Sequence, residues 1–229
     1  MVRVAFYTLG CKLNQAETED MSTCFCQAGF RLVPPNAMAD IYIANTCTVT
    51  HVADRKARHW LRLSRRRNPR AMIVAVGCYV QRAPEELSAI ADLVVDNRRK
   101  ERLLEIVSDW LSSRHLSPHR EHNQLEATAG NNLARVRSLI KIQEGCRTPC
   151  SYCIVPRVRA HEISHPASQI IEAIQEKVAA GFREVVITGT KVGCYQEAGG
   201  GLEQLVERIL RETDIERLRI SSLQPQEIS

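Results

Sequence analysis

No stretch of this 229-residue chain approaches the run of about 18 apolar residues that a membrane-spanning helix needs. The opening MVRVAFYTLG turns polar too soon to act as a secretory signal, so a cytoplasmic location without a membrane partner is expected. A large excess of one charge is also missing. Lys and Arg number 31 against 26 Asp and Glu, a net +5 that permits an acidic partner such as nucleic acid without requiring one. There is no internal repeat and no low-complexity tract. Nine cysteines are present, and an odd number cannot form a complete disulfide framework. In a reducing compartment, clustered thiols point instead to metal binding or catalysis.

Strands alternate with helices along the chain. Residues 2–8, 40–45, 71–76 and 92–95 read as strands, and 49–67 and 100–112 as helices. A helix is predicted from Asn14 to Gly29, with Asn14 as N-cap, Glu17 completing a capping box and Gly29 as terminator. Pro84-Glu85-Glu86 opens a short helix. This alternation predicts an α/β protein whose N-terminal domain, residues 1–112, is a doubly wound parallel sheet. Residues 113–134 lose apolar periodicity and read as a linker. Its His115, His119 and His122 read as solvated, because Pro118 breaks the helix that would align the first two. Residues 135–229 resume the β/α pattern: strands at 136–143, 184–188 and 217–222, helices at 166–180 and 201–212.

Cys146, Cys150 and Cys153 form a C-x₃-C-x₂-C loop whose three thiolates can converge on one inorganic centre. Three ligands leave one coordination position open, the mark of a reactive site. The alternatives are an iron–sulfur cluster with a free iron and a zinc site completed by a distant His or Cys. Tyr152, just before the last thiol, can shield such a centre from water. Cys11, Cys47 and Cys78 each follow a predicted parallel strand, at the sheet edge where open α/β sheets bind ligands. They can form a second three-thiol centre, or they are three ordinary buried cysteines. Cys24 and Cys26 sit within a helix and read as packing residues; Cys194 stays unassigned. Arg55, Arg58, Arg62 and Arg66 share one helical face, either an RNA-binding stripe or a solvated surface.

The segments TLGCKLNQAETE (8–19), NTCTVT (45–50), GCYVQRAPEEL (77–87) and EGCRTPCSYCIVP (144–156) together resemble the radical S-adenosylmethionine methylthiotransferases. The likeness runs from residue 2 to about residue 222. Within that family, Lys12-Leu13-Asn14-Gln15 is most similar to the enzymes that act on N6-threonylcarbamoyladenosine beside the tRNA anticodon. Relatives that act on isopentenyladenosine or on a ribosomal protein are the alternatives, and a non-catalytic metal-bearing RNA-binding module is another. The resemblance implies that Cys146, Cys150 and Cys153 hold a [4Fe–4S] cluster whose fourth iron chelates S-adenosylmethionine. It implies a second, auxiliary [4Fe–4S] cluster on Cys11, Cys47 and Cys78, whose open iron carries the sulfur to be transferred. Radical attack on adenine carbon 2 would use one S-adenosylmethionine, methylation a second, and a flavodoxin or ferredoxin would supply electrons. The loop Gly189-Thr190-Lys191 would lie near the bound S-adenosylmethionine, unless it is a plain β/α turn.

Two departures stand out. The family usually has Arg-Gly where this chain has Arg159-Ala160, and a second arginine where it has Ile163. Family members also continue through a six-unit partial barrel and a small RNA-binding β domain. Residues 135–229 correspond to the first half of that barrel, so a fragment, or a chain whose barrel a separate chain completes, is expected.

Overall fold

The computed structural model describes residues 1–113, 137–197 and 200–227. The chain forms two compact units, Met1–Gly130 and Asn131–Ser229. The predicted linker and its three histidines lie outside the described residues, apart from Ser113.

In the first unit the order is β1 (Arg3–Thr8), α1 (Lys12–Gln27), β2 (Arg31–Val33), β3 (Ile41–Thr46), α2 (His51–Arg67), β4 (Met72–Gly77), α3 (Cys78–Arg82), α4 (Pro84–Ser88), β5 (Leu93–Val95), a 3₁₀ turn (Asn97–Arg102) and α5 (Leu103–Ser112). The strands form one parallel sheet in the order β2-β1-β3-β4-β5. Every residue of β3 and β4 is buried, as a sheet covered on both faces requires. Strand alternation divides their side chains. Ile41, Ile43, Met72 and Val74 pack with Phe25 of α1 and Val107 of α5. Tyr42, Ala44, Ile73 and Ala75 pack with Trp60 and Leu61 of α2 and Leu87 of α4 on the opposite face. The unit is therefore doubly wound.

The second unit runs β6 (Arg137–Lys141), β7 (Gln143–Glu144), α6 (Val155–Val158), β8 (Ile163–Ser164), α7 (Ala167–Ala179), β9 (Glu184–Thr188), β10 (Gln196–Glu197), β11 (Gly200–Gly201), α8 (Leu202–Glu212) and β12 (Arg217–Ile220). Strands β6, β9 and β12 make a parallel sheet in the order β12-β9-β6. Ile170, Ile171 and Ile174 of α7 and Leu205 and Ile209 of α8 meet Ile140, Val185 and Ile187 in one core. Tyr195 donates its hydroxyl to the His165 carbonyl at 2.8 Å, and burial beside Glu197 pushes its pKa up to about 12, so it stays a donor at neutral pH.

The first helix differs from its prediction. It starts at Lys12, and Cys11 is the N-cap without a side-chain capping bond. Asn14 and Glu17 are buried inside the helix, with polar partners in the core that displace the capping box. Cys24 and Cys26 are exposed rather than packed.

Candidate metal centres and basic helix

In the strand order 2-1-3-4-5, connections leave β1 and β3 toward opposite faces, which opens a crevice beyond their carboxyl ends. Cys11 follows β1 and Cys47 follows β3, one on each side of that crevice; Cys78 follows the adjacent β4. Cys47 and Cys78 are buried and Cys11 is exposed. Burial holds the Cys47 thiol above its ordinary range. The Val49 amide, which donates to its sulfur at 3.5 Å, works against this, and the neighbouring Cys78 and Cys11 thiols add to the rise. Cys47 is thus the thiol that both of the others influence.

The backbone around them is shaped by two glycines with positive φ, Gly10 at +102° and Gly77 at +101°. A Cβ on Gly10 would stand 2.7 Å from the Cys47 sulfur. Only a residue without a side chain lets the β1 turn approach that closely. Among the described residues, no three His, Cys, Asp or Glu side chains are close enough to hold a single metal ion. A cubane asks for a wider spread, because each thiolate binds a different iron. Soft thiolates around a tight glycine-lined crevice fit such a cluster.

Beneath the thiols is a buried polar network that the sequence reading missed. Asn14 donates to the carbonyls of Leu9 at 2.8 Å and Thr46 at 3.1 Å, which tethers the residues preceding both Cys11 and Cys47. Asn45 donates to the Asn14 carbonyl at 2.9 Å and to Thr18 at 3.1 Å. Lys100 donates to Glu17 at 2.6 Å and to Asn45 at 3.2 Å. On the other side of Cys47, Arg82 bridges Thr48 at 2.6 Å and Asp54 at 2.9 Å and lies over the Tyr79 ring. The available signal was the polar pair Asn45-Thr46 closing an otherwise apolar strand.

In the second unit, β7 and β8 pair antiparallel, Gln143 with Ser164 and Glu144 with Ile163, and close the base of the cysteine loop. Cys146 donates its amide to the Arg159 carbonyl at 3.0 Å, and Arg147 donates its amide to Glu162 at 2.9 Å. A Cβ on Gly145 would stand 1.8 Å from the His161 carbonyl oxygen, and its φ is +84°. Cys146, Cys150 and Cys153 are all half-buried. Cys153 turns back on Cys150 through an N–H···O bond of 3.1 Å, and the Thr148 amide donates to the Cys146 sulfur at 3.4 Å. Three soft donors on one half-open loop, with the Thr148 N–H aimed at the Cys146 sulfur, suit an iron–sulfur cluster.

Tyr152 is 89% exposed, so its ring lies in solvent and covers no thiol. Gly189 and Thr190 do sit against the cysteine loop. Buried Gln143 accepts from the amides of Thr190 and Lys191, both at 3.0 Å, and donates to the Gly145 carbonyl at 2.7 Å. The Gly145 amide donates to the Thr190 hydroxyl at 3.1 Å. Ser222 is the one described non-glycine residue with positive φ, so Ala160 introduces no backbone strain. Ile163 is 48% exposed. Arg159 is buried and paired with Glu144 at 2.8 Å.

On α2, Arg55, Arg62 and Arg66 are exposed and Arg58 is not. Arg58 is held by Tyr79 and by Glu86, the latter at 3.3 Å. Arg62 and Arg66 line a groove of about 450 Å³ against Ser88–Asp92. There Arg65 pairs with Asp92 at 2.5 Å.

Residues 3–96 match the family described as Uncharacterized protein family UPF0004. The threonylcarbamoyladenosine tRNA methylthiotransferase MtaB of Aquifex aeolicus is 36% identical over 235 residues, covering 99% of this chain and 57% of that protein. Its namesake from Bacillus subtilis is 35% identical over 243 residues, 100% of this chain and 53% of that protein. By sequence, the whole chain is similar to proteins named as methylthiotransferases. It spans little more than half the length of these curated relatives. Among solved structures, the radical S-adenosylmethionine methyltransferase TsrM from Kitasatospora setae matches with a TM-score of 0.61 at 13% identity, over 92% of this chain and 51% of that one. At that identity the likeness is one of fold: a parallel α/β arrangement shared with part of a radical S-adenosylmethionine enzyme. No described helix is long and apolar enough to cross a membrane.

Proposed function

We propose that this chain serves the methylthiolation of N6-threonylcarbamoyladenosine in tRNA. Cys11, Cys47 and Cys78 would hold one [4Fe–4S] cluster, and Cys146, Cys150 and Cys153 a second that binds S-adenosylmethionine. The observation that supports this reading is that Cys11, Cys47 and Cys78 each follow one of three adjacent parallel strands, β1, β3 and β4, with Gly10 packed against the Cys47 sulfur. The activity for which these relatives are named supports the choice of substrate.

When bound, the clusters supply one-electron chemistry and an iron site open to sulfur. The chain's own residues hold and shape the surroundings. Asn14 fixes both turns that carry Cys11 and Cys47. Gln143 locks the Gly189-Thr190 turn onto the cysteine loop, so those two residues act by placing backbone beside the cofactor. Tyr152, being exposed, presents a free ring face to S-adenosylmethionine. Arg55, Arg62 and Arg66 meet tRNA phosphates. The rest of the barrel found in the longer relatives, in the same polypeptide or a separate chain, is needed for turnover, as is an external reductant such as flavodoxin or ferredoxin.

Anaerobic reconstitution with iron and sulfide is expected to load about eight irons per chain. Incubating the reduced protein with S-adenosylmethionine and hypomodified tRNA, then weighing the nucleosides, tests the reaction. Retention of zinc in place of iron, or iron uptake indifferent to the loss of Cys47, sinks the reading.

A further inference from the structure

We infer that the 3₁₀ turn Asn97–Arg102 is a supporting arm of the Cys11–Cys47–Cys78 centre, with Asn97 hydrogen-bonding the Cys78 sulfur and Lys100 fixing the turns that carry Cys11 and Cys47. This rests on the cluster reading above. The turn follows β5 and lies just past residue 96, where the family match ends. Its start is held by Asp96, whose carboxylate accepts from the amides of Arg98 at 2.9 Å and Arg99 at 3.1 Å.

Two side chains leave this turn toward the crevice. Asn97 is half-buried, and its amide nitrogen stands 4.0 Å from the Cys78 sulfur, the reach of an N–H···S hydrogen bond. Lys100 is 4% exposed and is paired with Glu17, itself 5% exposed. A buried ion pair is a poor device for stability alone, since apolar residues of similar volume often serve as well or better. Here the pair has a positional consequence. Lys100 fixes Asn45, two residues before Cys47, and Asn45 fixes the Asn14 carbonyl, whose own amide ties down Leu9 and Thr46. One turn thus reaches all three thiols: Cys78 directly, Cys47 and Cys11 through Asn45 and Asn14.

The chemical effect follows from charge. A thiolate-ligated cluster is anionic, and reduction adds one more negative charge. A hydrogen bond donated to its sulfur stabilises the reduced state and raises the reduction potential. Asn97 is therefore a tuning residue and Lys100 a positioning residue, and neither touches substrate.

The test uses the full chain with Cys146, Cys150 and Cys153 replaced by alanine, so that a single centre remains. After anaerobic reconstitution, iron and sulfide are counted and the potential is followed by electron paramagnetic resonance during a redox titration. Asn97→Ala is expected to keep about four irons and to titrate at a more negative potential than its parent. Asn97→Asp, which replaces the donor with an anion, is expected to go lower still. The double variant Lys100→Met/Glu17→Gln removes both buried charges together and is expected to keep its far-ultraviolet circular dichroism. It should lose iron to a chelator at about tenfold lower chelator concentration, the usual scale for an outer-shell change. Unchanged potentials in both Asn97 variants with full iron, or full retention in the folded double variant, overturn the corresponding role. If the single-centre parent takes up no iron at all, the cluster reading itself falls, and this inference with it.

Discussion

Asn14 joins the turn after β1 to the end of β3 by donating to the carbonyls of Leu9 and Thr46, and the Thr46 bond is buried. An Asn14→Ala variant leaves them without those donors. A loss of about 1–3 kcal/mol in urea unfolding is expected, the usual cost of an unsatisfied buried polar group. The sequence showed Asn14 and Glu17 at the spacing of a capping box, a local pattern that holds only if both side chains face the helix end. Long-range partners, Lys100 at position 83 residues from Glu17, decide otherwise. Local spacing carries no information about such partners. The six candidate cysteines were legible because each follows a strand or sits on a short motif, whereas the groups that fix them are scattered through the chain. A second residue-scale prediction concerns Asp40. A hydrogen bond from the Arg3 side chain holds its carboxylate below the usual range, against some opposition from burial, with the Arg3 amide and charge helping. The unfolded carboxylate titrates near about 3.9. Its contribution to stability is therefore complete above that pH and fades as pH falls through the lower folded value. Asp40→Asn should flatten the acid side of a stability–pH curve measured by thermal unfolding and leave the neutral side less stable than wild type.

At the scale of elements, α2 does two jobs with two faces. Ala57, Trp60 and Leu61 seat it on the sheet, while Arg55, Arg62 and Arg66 stay in solvent. From Arg55 to Arg66 the helix rises roughly 16 Å, at about 1.5 Å per residue. Replacing the three exposed arginines by alanine removes charge without harming helix propensity. If each meets one phosphate, the slope of log affinity for tRNA against log salt should shrink by about 2 in a filter-binding titration. The periodicity that revealed the stripe could not tell Arg58 from its neighbours, because its partners Tyr79 and Glu86 come from later in the chain. Long apolar strands such as β3, β4 and β9 were readable to within a residue. The three-residue β2 was not, since its register is set by β1 beside it. Nor was α3, which begins directly at Cys78.

At the scale of the molecule, each trio of thiols belongs to a different compact unit, Cys11, Cys47 and Cys78 to one and Cys146, Cys150 and Cys153 to the other. The two centres should therefore load independently. Cys47→Ala and Cys150→Ala are each expected to retain about four irons after reconstitution, and the double variant close to none, by iron analysis and visible absorbance. The α/β class was readable from alternation alone. The crevice was not, because it depends on strand order, and the β2-β1-β3-β4-β5 arrangement is written in no single segment.

Gly10 bears no reactive group, yet the atom a substitution would add there falls 2.7 Å from the Cys47 sulfur. In a screen of random variants, a change from glycine to alanine at this position would be scored beside the cysteines themselves. A residue with nothing to offer chemically would pass for one of the ligands, solely by failing to stay out of their way.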